Sequence, residues 1–589
     1  MELASFSSRR PPKPPFRVPS RPWVVFSILA IAALGMAGRL LFLQVLSGEN
    51  YRDRAKALHS IQRRLLVPRV PIVDRNHVVL AHDQKVFNLY GYPNQIPLAS
   101  KPEAANQLAA ILGQPAEQIL AKLTQKTTFV TLADRIPEVL SNQIAKLIRQ
   151  NKYPGLELVA RQHRYYPQKQ AVAEVLGFVN DQDQGGAGVE LVYDQKIARQ
   201  EQNLKLIRDA YGNWLSQDFS QDMWSQDQTV LQLTIDLRIQ AIARQALVRQ
   251  LSRYGAKRGA VMVMDAANGE LRAMVNEPTY DPNQFFKYSK ELHRNWAVTD
   301  LFEPGSTFKP INVAIALENQ SISLDSSFYD QGKLTISNEP VANFDYDATG
   351  PVGVLTLSQI LQRSSNVGMV HIIRTMKPQV YYDWLERLGL GESSKIDLPG
   401  ERASQLRDQE QFVTYDIESA TAAFGQGLSM SPVQLLQIHG ILASGGKLLT
   451  PHVTRGLVDQ AGKLIPAESR PAPRQIFSPS TTAQVLSMME DVVELGTGKV
   501  AKIPGYRFGG KTGTAQKSDQ YGYTDKKATS FVGIFPTVKP RYVVLAVIDE
   551  PIGDDAFGST VAAPIVKEVL EDLIVQDGIP PSHPQELKR

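Results

Sequence analysis

The chain has 589 residues, with 64 lysines and arginines against 59 acids, 43% hydrophobic and 21% charged residues. At about 150 residues per domain this length excludes a lone binding module, and a net charge of only +5 excludes a dominant nucleic-acid footprint. The absence of cysteine excludes thiol nucleophiles, disulfides and cysteine-ligated metals.

Residues 1–22 hold Arg9, Arg10, Lys13, Arg17 and Arg21 against Glu2, with prolines at 11, 12, 14, 15, 19 and 22. Such a segment cannot pack a core and is expected as an extended tail. Residues 23–46 are apolar except for Ser27, Arg39 and Gln44, which is enough for one membrane crossing. The basic flank precedes the span, so the N-terminus is expected in the cytoplasm and everything after about residue 47 outside. Arg39 then has to snorkel to the outer headgroups or meet a partner helix. A signal peptide cleaved near Gly35 or Ala37 is the alternative, but Leu40 to Leu46 carries the apolar run past that point.

Residues 47–235 read as a pedestal domain. Ile72–Val73 and Val78–Leu80 flank Asp74-Arg75-Asn76 as strand, turn, strand, and 102–112 and 119–123 carry helical patterns. Residues 236–578 read as a second domain. It starts with a helix over about 236–253, where Ile239, Ile242, Ala246 and the adjacent row Ala243, Leu247, Leu251 make a broad stripe expected to be buried. A hairpin follows over 260–264 and 271–275, with Asn268-Gly269 predicted to form a tight primed turn. Residues 528–534 and 542–548 read as strands and 561–574 as a closing helix, leaving 579–589 as a C-terminal tail. Strands at both ends with mostly helical residues between predict an α+β domain whose sheet is closed by its own termini.

Glu303-Pro304-Gly305-Ser306-Thr307-Phe308-Lys309 puts Ser306 after a Pro-Gly break, with Lys309 three residues on and the same helix face in reach of its hydroxyl. Serine becomes nucleophilic when a neighbouring base takes its proton, and lysine serves if its pKa falls from about 10.4 towards 7. A helix N-terminus supplies part of the field and free N–H groups for an oxyanion. Ser-x-x-Lys alone is expected about twice by chance, and its bland role is a helix cap. Ser364-Ser365-Asn366 adds a possible proton relay in Ser364 and an amide holder in Asn366; its bland role is also a cap or turn. Gly509-Gly510-Lys511-Thr512-Gly513-Thr514-Ala515 holds a Lys-Thr-Gly triplet, which is expected roughly 0.1 to 0.2 times by chance. Its glycines admit close backbone approach, and Lys511, Thr512 and Thr514 suit a carboxylate; its bland role is a weakened edge strand. The three sets in this order are those of serine β-lactamases and penicillin-binding proteins.

With those residues in view, the chain resembles a class B penicillin-binding protein. Arg39 to Val45, Gly188-Val189-Glu190 with Tyr193, Leu233 to Asp236, Phe424-Gly425-Gln426-Gly427 and Gly496-Thr497-Gly498 are similar to that family. Ser364 to Gly368, Leu398-Pro399-Gly400-Glu401 and Ser530-Phe531-Val532-Gly533 look closest to its septal, FtsI-type branch; elongation-type relatives more often carry Asp where Asn366 stands. The resemblance implies an anchor, a dimerisation-type pedestal and a transpeptidase domain with a central antiparallel sheet, like that of serine β-lactamases. It implies D,D-transpeptidation of peptidoglycan stem peptides through an acyl-Ser306, with Lys309 as base. Ser364 and Lys511 would serve the leaving amine, Asn366 the peptide, and Thr512, Gly513 and Thr514 the carboxylate. It implies inhibition by β-lactams, no metal or organic cofactor, a glycosyltransferase of the SEDS family and other division proteins as partners, and a place in the plasma membrane at the septum. An elongation-type enzyme and a non-catalytic β-lactam sensor or scaffold are the alternatives. One departure stands out: Arg69-Val70-Pro71-Ile72-Val73-Asp74-Arg75-Asn76-His77 lacks both glycines usual in that stretch, which puts the pedestal turn in question.

Overall fold

The computed structural model describes residues 21–52, 60–66, 68–151, 153–199, 201–207, 229–466, 470–519 and 522–588; most of the expected tail, residues 1–20, lies outside them. The described residues within 1–67 and 200–226 form one compact unit, and those within 68–199 and 227–589 another. The first holds the helix Arg21–Leu41, continued by one wider turn over Phe42–Leu46, and an antiparallel pair of strands, Ser60–Leu66 and Glu201–Ile207. Pro22–Leu46 forms 25 residues of apolar helix with no part of it buried inside the protein, long enough at about 1.5 Å per residue to cross a bilayer.

In the second unit a seven-stranded sheet runs from Leu464–Pro466 through Thr454–Val458, Val230–Leu233 and Ile72–Val73 to Val79–Gly91. Val79–Gly91 pairs in turn with Val130–Pro137 and Leu156–Tyr165. The pedestal turn survives without its glycine. Asp74 Oδ1 accepts from the backbone N–H of Asn76 (2.7 Å) and Val78 (2.8 Å), and His77 itself takes the left-handed conformation, φ +64°. A side chain there costs about 1–2 kcal/mol, which the two side-chain-to-backbone bonds offset. Beside it, the buried Glu190 accepts from Arg69 Nε (2.8 Å) and Arg164 Nε (2.7 Å), so the carboxylate leaves water fully paired.

A five-stranded antiparallel sheet forms the centre of the remainder. Its strands are β1 (Arg258–Asp265), β2 (Leu271–Glu277), β3 (Gly509–Asp519), β4 (Gly522–Phe535) and β5 (Tyr542–Asp549), in the order β3-β4-β5-β1-β2. Chain-terminal strands therefore do close the sheet. Six helices matter for the site: α1 (Leu237–Arg253), α2 (Lys309–Glu318), α3 (Leu357–Arg363), α4 (Asn366–Ile373), α5 (Pro432–Ala443) and α6 (Ala563–Asp577). Val261 and Val263 of β1 pack with α1 and α6 on one face. Ala260, Met262 and Met264 enter the core that contains α5 on the other. With both faces covered, every residue of β5 is buried, and the strand reads as one apolar run. α5 is buried all round, the pattern of a central helix.

The β1–β2 hairpin forms, but not through the predicted primed turn. Only Gly269 has positive φ (+81°), and the loop is longer, with Gly269 N–H donating to Asp265 O and Asn268 Oδ1 accepting from Glu270 N–H (both 2.9 Å). A tertiary pairing overrides the local preference: Leu271 N–H donates to His452 O (2.8 Å), and His452 N–H to Gly269 O (3.1 Å). The residues after 578 turn back, with His583 N–H donating to Gly505 O (2.9 Å) and Arg507 pairing with Glu586.

Candidate active site

Ser306 sits on the turn Gly305–Phe308 that leads into α2. Its neighbours are anchored inward. Thr307 Oγ1 donates to Pro304 O (2.6 Å), His439 Nε2 of α5 donates to Thr307 O (2.9 Å), and Phe308 is fully buried. The turn therefore leaves Ser306 as its one partly exposed residue, facing a cavity of about 300 Å³. Gly305, Ser364, Asn366, Thr512 and Thr514 line that cavity with it, joined by Phe344, Phe424, Gln426, Thr497, Phe557, Gly558 and Ser559. Three sequence-distant motifs thus share one cleft.

The spacing of Ser306 and Lys309 gives reach, and the structure adds where the amine rests. The Lys309 amine, fully buried, donates to Ser364 O (2.5 Å) and Asn366 Oδ1 (2.7 Å) and lies 3.3 Å from Ser364 Oγ; no hydrogen bond joins it to Ser306. Carbonyl acceptors hold the amine better than a hydroxyl that also faces the cavity. Lys511, equally buried on the edge strand β3, donates to Ser364 Oγ (2.9 Å) and Thr512 O (3.0 Å). Ser364 is therefore bracketed by both amines. Its left-handed backbone, φ +60°, is stored strain of the kind found at functional sites. It is flanked by the end of α3 and by the Ser365 side chain, which caps α4.

Burial pushes the Lys309 amine well below the usual lysine range; the Lys511 charge adds to this and Asp330 opposes it. Burial alone lowers Lys511 to about 7. Between about pH 7 and the unfolded value of about 10.4, the unfolded chain therefore binds more protons than the folded one, and stability rises with pH across that window. Lys511→Met is expected to flatten that slope and raise the thermal midpoint at pH 7, measured by calorimetry of detergent-solubilised protein at pH 7 and 9. A slope identical to that of the wild type would refute the assignment.

Thr512 Oγ1 lies 3.1 Å from Thr497 Oγ1, and Thr514 Oγ1 accepts from Gly558 N–H (3.1 Å). Gly513 has no room for a side chain: a Cβ would meet Ser530 Oγ at 2.4 Å and Thr307 Cγ2 at 2.9 Å. Asn366 lines the cavity, yet both ends of its amide are engaged, Nδ2 donating to Ala342 O (2.8 Å). Sequence reasoning missed Phe344, Phe557, Gly558 and Ser559, which come from segments without a motif. Thr497, Phe424 and Gln426 lay in stretches quoted only for their resemblance.

Residues 259–571 match the penicillin-binding protein transpeptidase domain, and residues 64–231 the penicillin-binding protein dimerisation domain. The chain is 40% identical over 570 residues to the peptidoglycan D,D-transpeptidase FtsI homolog of Mesostigma viride, covering 93% of this chain and 94% of that one. It is 31% identical over 561 residues to the peptidoglycan D,D-transpeptidase FtsI of Escherichia coli (strain K12), covering 94% and 91%. Its fold is similar to the apo-form crystal structure of penicillin-binding protein 3 from Mycobacterium tuberculosis, with a TM-score of 0.66 at 25% identity over 89% of this chain and 99% of that one. With both segments matched and relatives of this identity over nearly its whole length, the chain belongs to the class B penicillin-binding proteins, in their FtsI-type branch.

Proposed function

We propose that this chain is a membrane-anchored peptidoglycan D,D-transpeptidase that cross-links stem peptides through an acyl-enzyme on Ser306. The observation that carries the reading is the convergence of two buried lysines on Ser364 Oγ in the cavity that exposes Ser306. A neutral Lys309 amine has two N–H donors, matched by Ser364 O and Asn366 Oδ1. Its lone pair is left for the Ser306 proton when substrate tightens the site. Ser306 Oγ attacks the carbonyl between the two terminal D-alanines, forming a C–O bond, and its proton passes to Lys309. Backbone N–H groups of Ser306 and Thr514 hold the oxyanion. The C–N bond then breaks, and the departing amine takes a proton relayed from Lys511 through Ser364. Asn366 orients the peptide; Thr512 and Thr514 donate to its terminal carboxylate beside Lys511, with Gly513 allowing the strand to close on it. The amine of a second stem peptide attacks the ester and passes its proton through Ser364 back to Lys511; the C–O bond to Ser306 breaks, and Ser306 recovers its proton from Lys309. A β-lactam presents a strained amide to the same serine and is held as a stable ester.

The reading extends to organisation and place. Residues 1–22 form a cytoplasmic tail, 23–46 the single membrane anchor, 47–235 the pedestal, 236–578 the transpeptidase domain and 579–589 a tail. The arginines ahead of the span support a cytoplasmic N-terminus and an extracytoplasmic body. Arg39 within the apolar helix supports a partner in the membrane, which we read as a glycosyltransferase of the SEDS family working with other division proteins at the septum.

Full-length protein in detergent, incubated with fluorescent penicillin, is expected to form a long-lived adduct mapping to the Ser306 peptide. With stem pentapeptides it is expected to release D-alanine and form dimers. Rapid turnover of the penicillin would instead make it a lactamase, and an adduct without cross-linking a sensor. A fluorescent fusion dispersed along the side wall would overturn the septal assignment.

A further inference from the structure

Behind the cavity lies a carboxylate that the mechanism does not use. Asp330, at the end of the strand Ser327–Asp330, is fully buried. Its Oδ1 accepts from Gly332 N–H (2.8 Å), both oxygens accept from Asn343 Nδ2 (2.9 Å each), and Oδ2 accepts from Ser365 Oγ (2.6 Å). Asn343 Oδ1 accepts in turn from the backbone N–H of Asn366 (2.8 Å) and Val367 (3.2 Å), and Ser365 Oγ from Gly368 N–H (2.8 Å). Every donor in this chain of bonds ends on one acceptor-only group, a role that an ionised carboxylate fills and an amide fills only in part. Among the described residues, no lysine or arginine forms an ion pair with Asp330. A buried anion without a salt bridge is destabilising by itself, yet it stands behind a site that holds two buried amines and no acid in its lining.

We propose that Asp330 is a positioning residue for acylation, holding Asn366 against the Lys309 amine through Asn343 and Ser365 and supplying a negative charge that acts on Lys309. The Asp330 charge acts on Lys309 directly, opposing the effects of burial and of Lys511. The other ionisable groups near the carboxylate are His371 of α4 and, beyond it, Arg374. Burial and Arg374 hold His371 below the usual histidine range, against the pull of Asp330. Lys333, on the adjoining strand Lys333–Ile336, is exposed.

This inference rests on the acyl-enzyme reading, and the two fail separately. That reading fails if the wild-type chain is not labelled at Ser306; this one is tested on protein that is. The measurement is the acylation rate by fluorescent penicillin against pH, on full-length protein in detergent, with circular dichroism reporting the folded fraction. The rate rises on the acidic limb as Lys309 loses its proton. Removing the anion favours the neutral amine, so Asp330→Asn is expected to move that limb to lower pH by about one unit. Asn343→Ser keeps the carboxylate and breaks its link to Asn366 and Val367; it is expected to lower the plateau about tenfold with the limb in place. A folded Asp330→Asn protein with the wild-type limb overturns the proposal. If that variant is not recovered folded, Asn343→Ser decides: a lowered plateau in folded protein supports the proposal, and an unchanged plateau overturns it.

Discussion

Ser306→Ala is expected to abolish capture of labelled penicillin, lowering acylation by on the order of 10⁶-fold, while the thermal midpoint stays within about 2 °C of the wild type. The separation of the two effects follows from what the hydroxyl touches. The bland role open to this serine, capping the helix that follows, is not used: the turn Gly305–Phe308 has no side-chain cap, and Ser306 lines the cavity instead. Thr307, His439 and Phe308 hold the turn without it. Ser365, by contrast, does cap its helix, so its removal would cost about 1 kcal/mol of stability as well as loosening Asn366. Undiminished labelling of the alanine variant, read on a denaturing gel, would remove Ser306 from the chemistry.

Gly425→Ala is expected to have the largest effect on stability, at least about 3 kcal/mol, and to reduce acylation by the remaining folded protein tenfold or more. Gly425 has φ +81° and accepts from Gly305 N–H at 2.9 Å. A Cβ there would stand 2.1 Å from Gly305 O and 2.8 Å from its carbonyl carbon. Both stretches of backbone are buried, so the clash is relieved only by displacing Gly305, and Ser306 after it, from their places in the cavity wall. Gly578→Ala is the control. It has a similar left-handed φ (+59°) with open space where the Cβ would go, so it should cost about 1–2 kcal/mol and leave acylation unchanged. Chemical denaturation with parallel penicillin-binding kinetics separates the cases; equal losses in the two variants would show that backbone conformation alone, not contact with Gly305, sets the effect.

What the sequence revealed and what it hid divide along physical lines. The strands β1, β2, β4 and β5 were legible because two buried faces make each an apolar run, and α1 because its stripe meets that sheet. The three motifs were legible as short local patterns, and their meeting in one cavity follows from the sheet bringing its last strands beside its first. The Asn268-Gly269 turn was misread because pairing with His452 outweighs a local preference. Helical spacing brought Lys309 within reach of Ser306 but could not show where its amine rests, on Ser364 O and Asn366 Oδ1. Asp330 and Asn343 carry no pattern at all; their role exists only once distant segments fold over α4.

The seven-stranded sheet has a consequence for anyone exchanging parts between relatives. Val230–Leu233 lies between Ile72–Val73 on one side and Thr454–Val458 on the other, whereas the dimerisation-domain match ends at residue 231, inside that strand. A chimaera joined there would split the strand between parents and leave each half beside one foreign neighbour. A workable hybrid has to inherit all three strands from one parent, so the unit of modular exchange in this protein is a ladder rather than a stretch of chain.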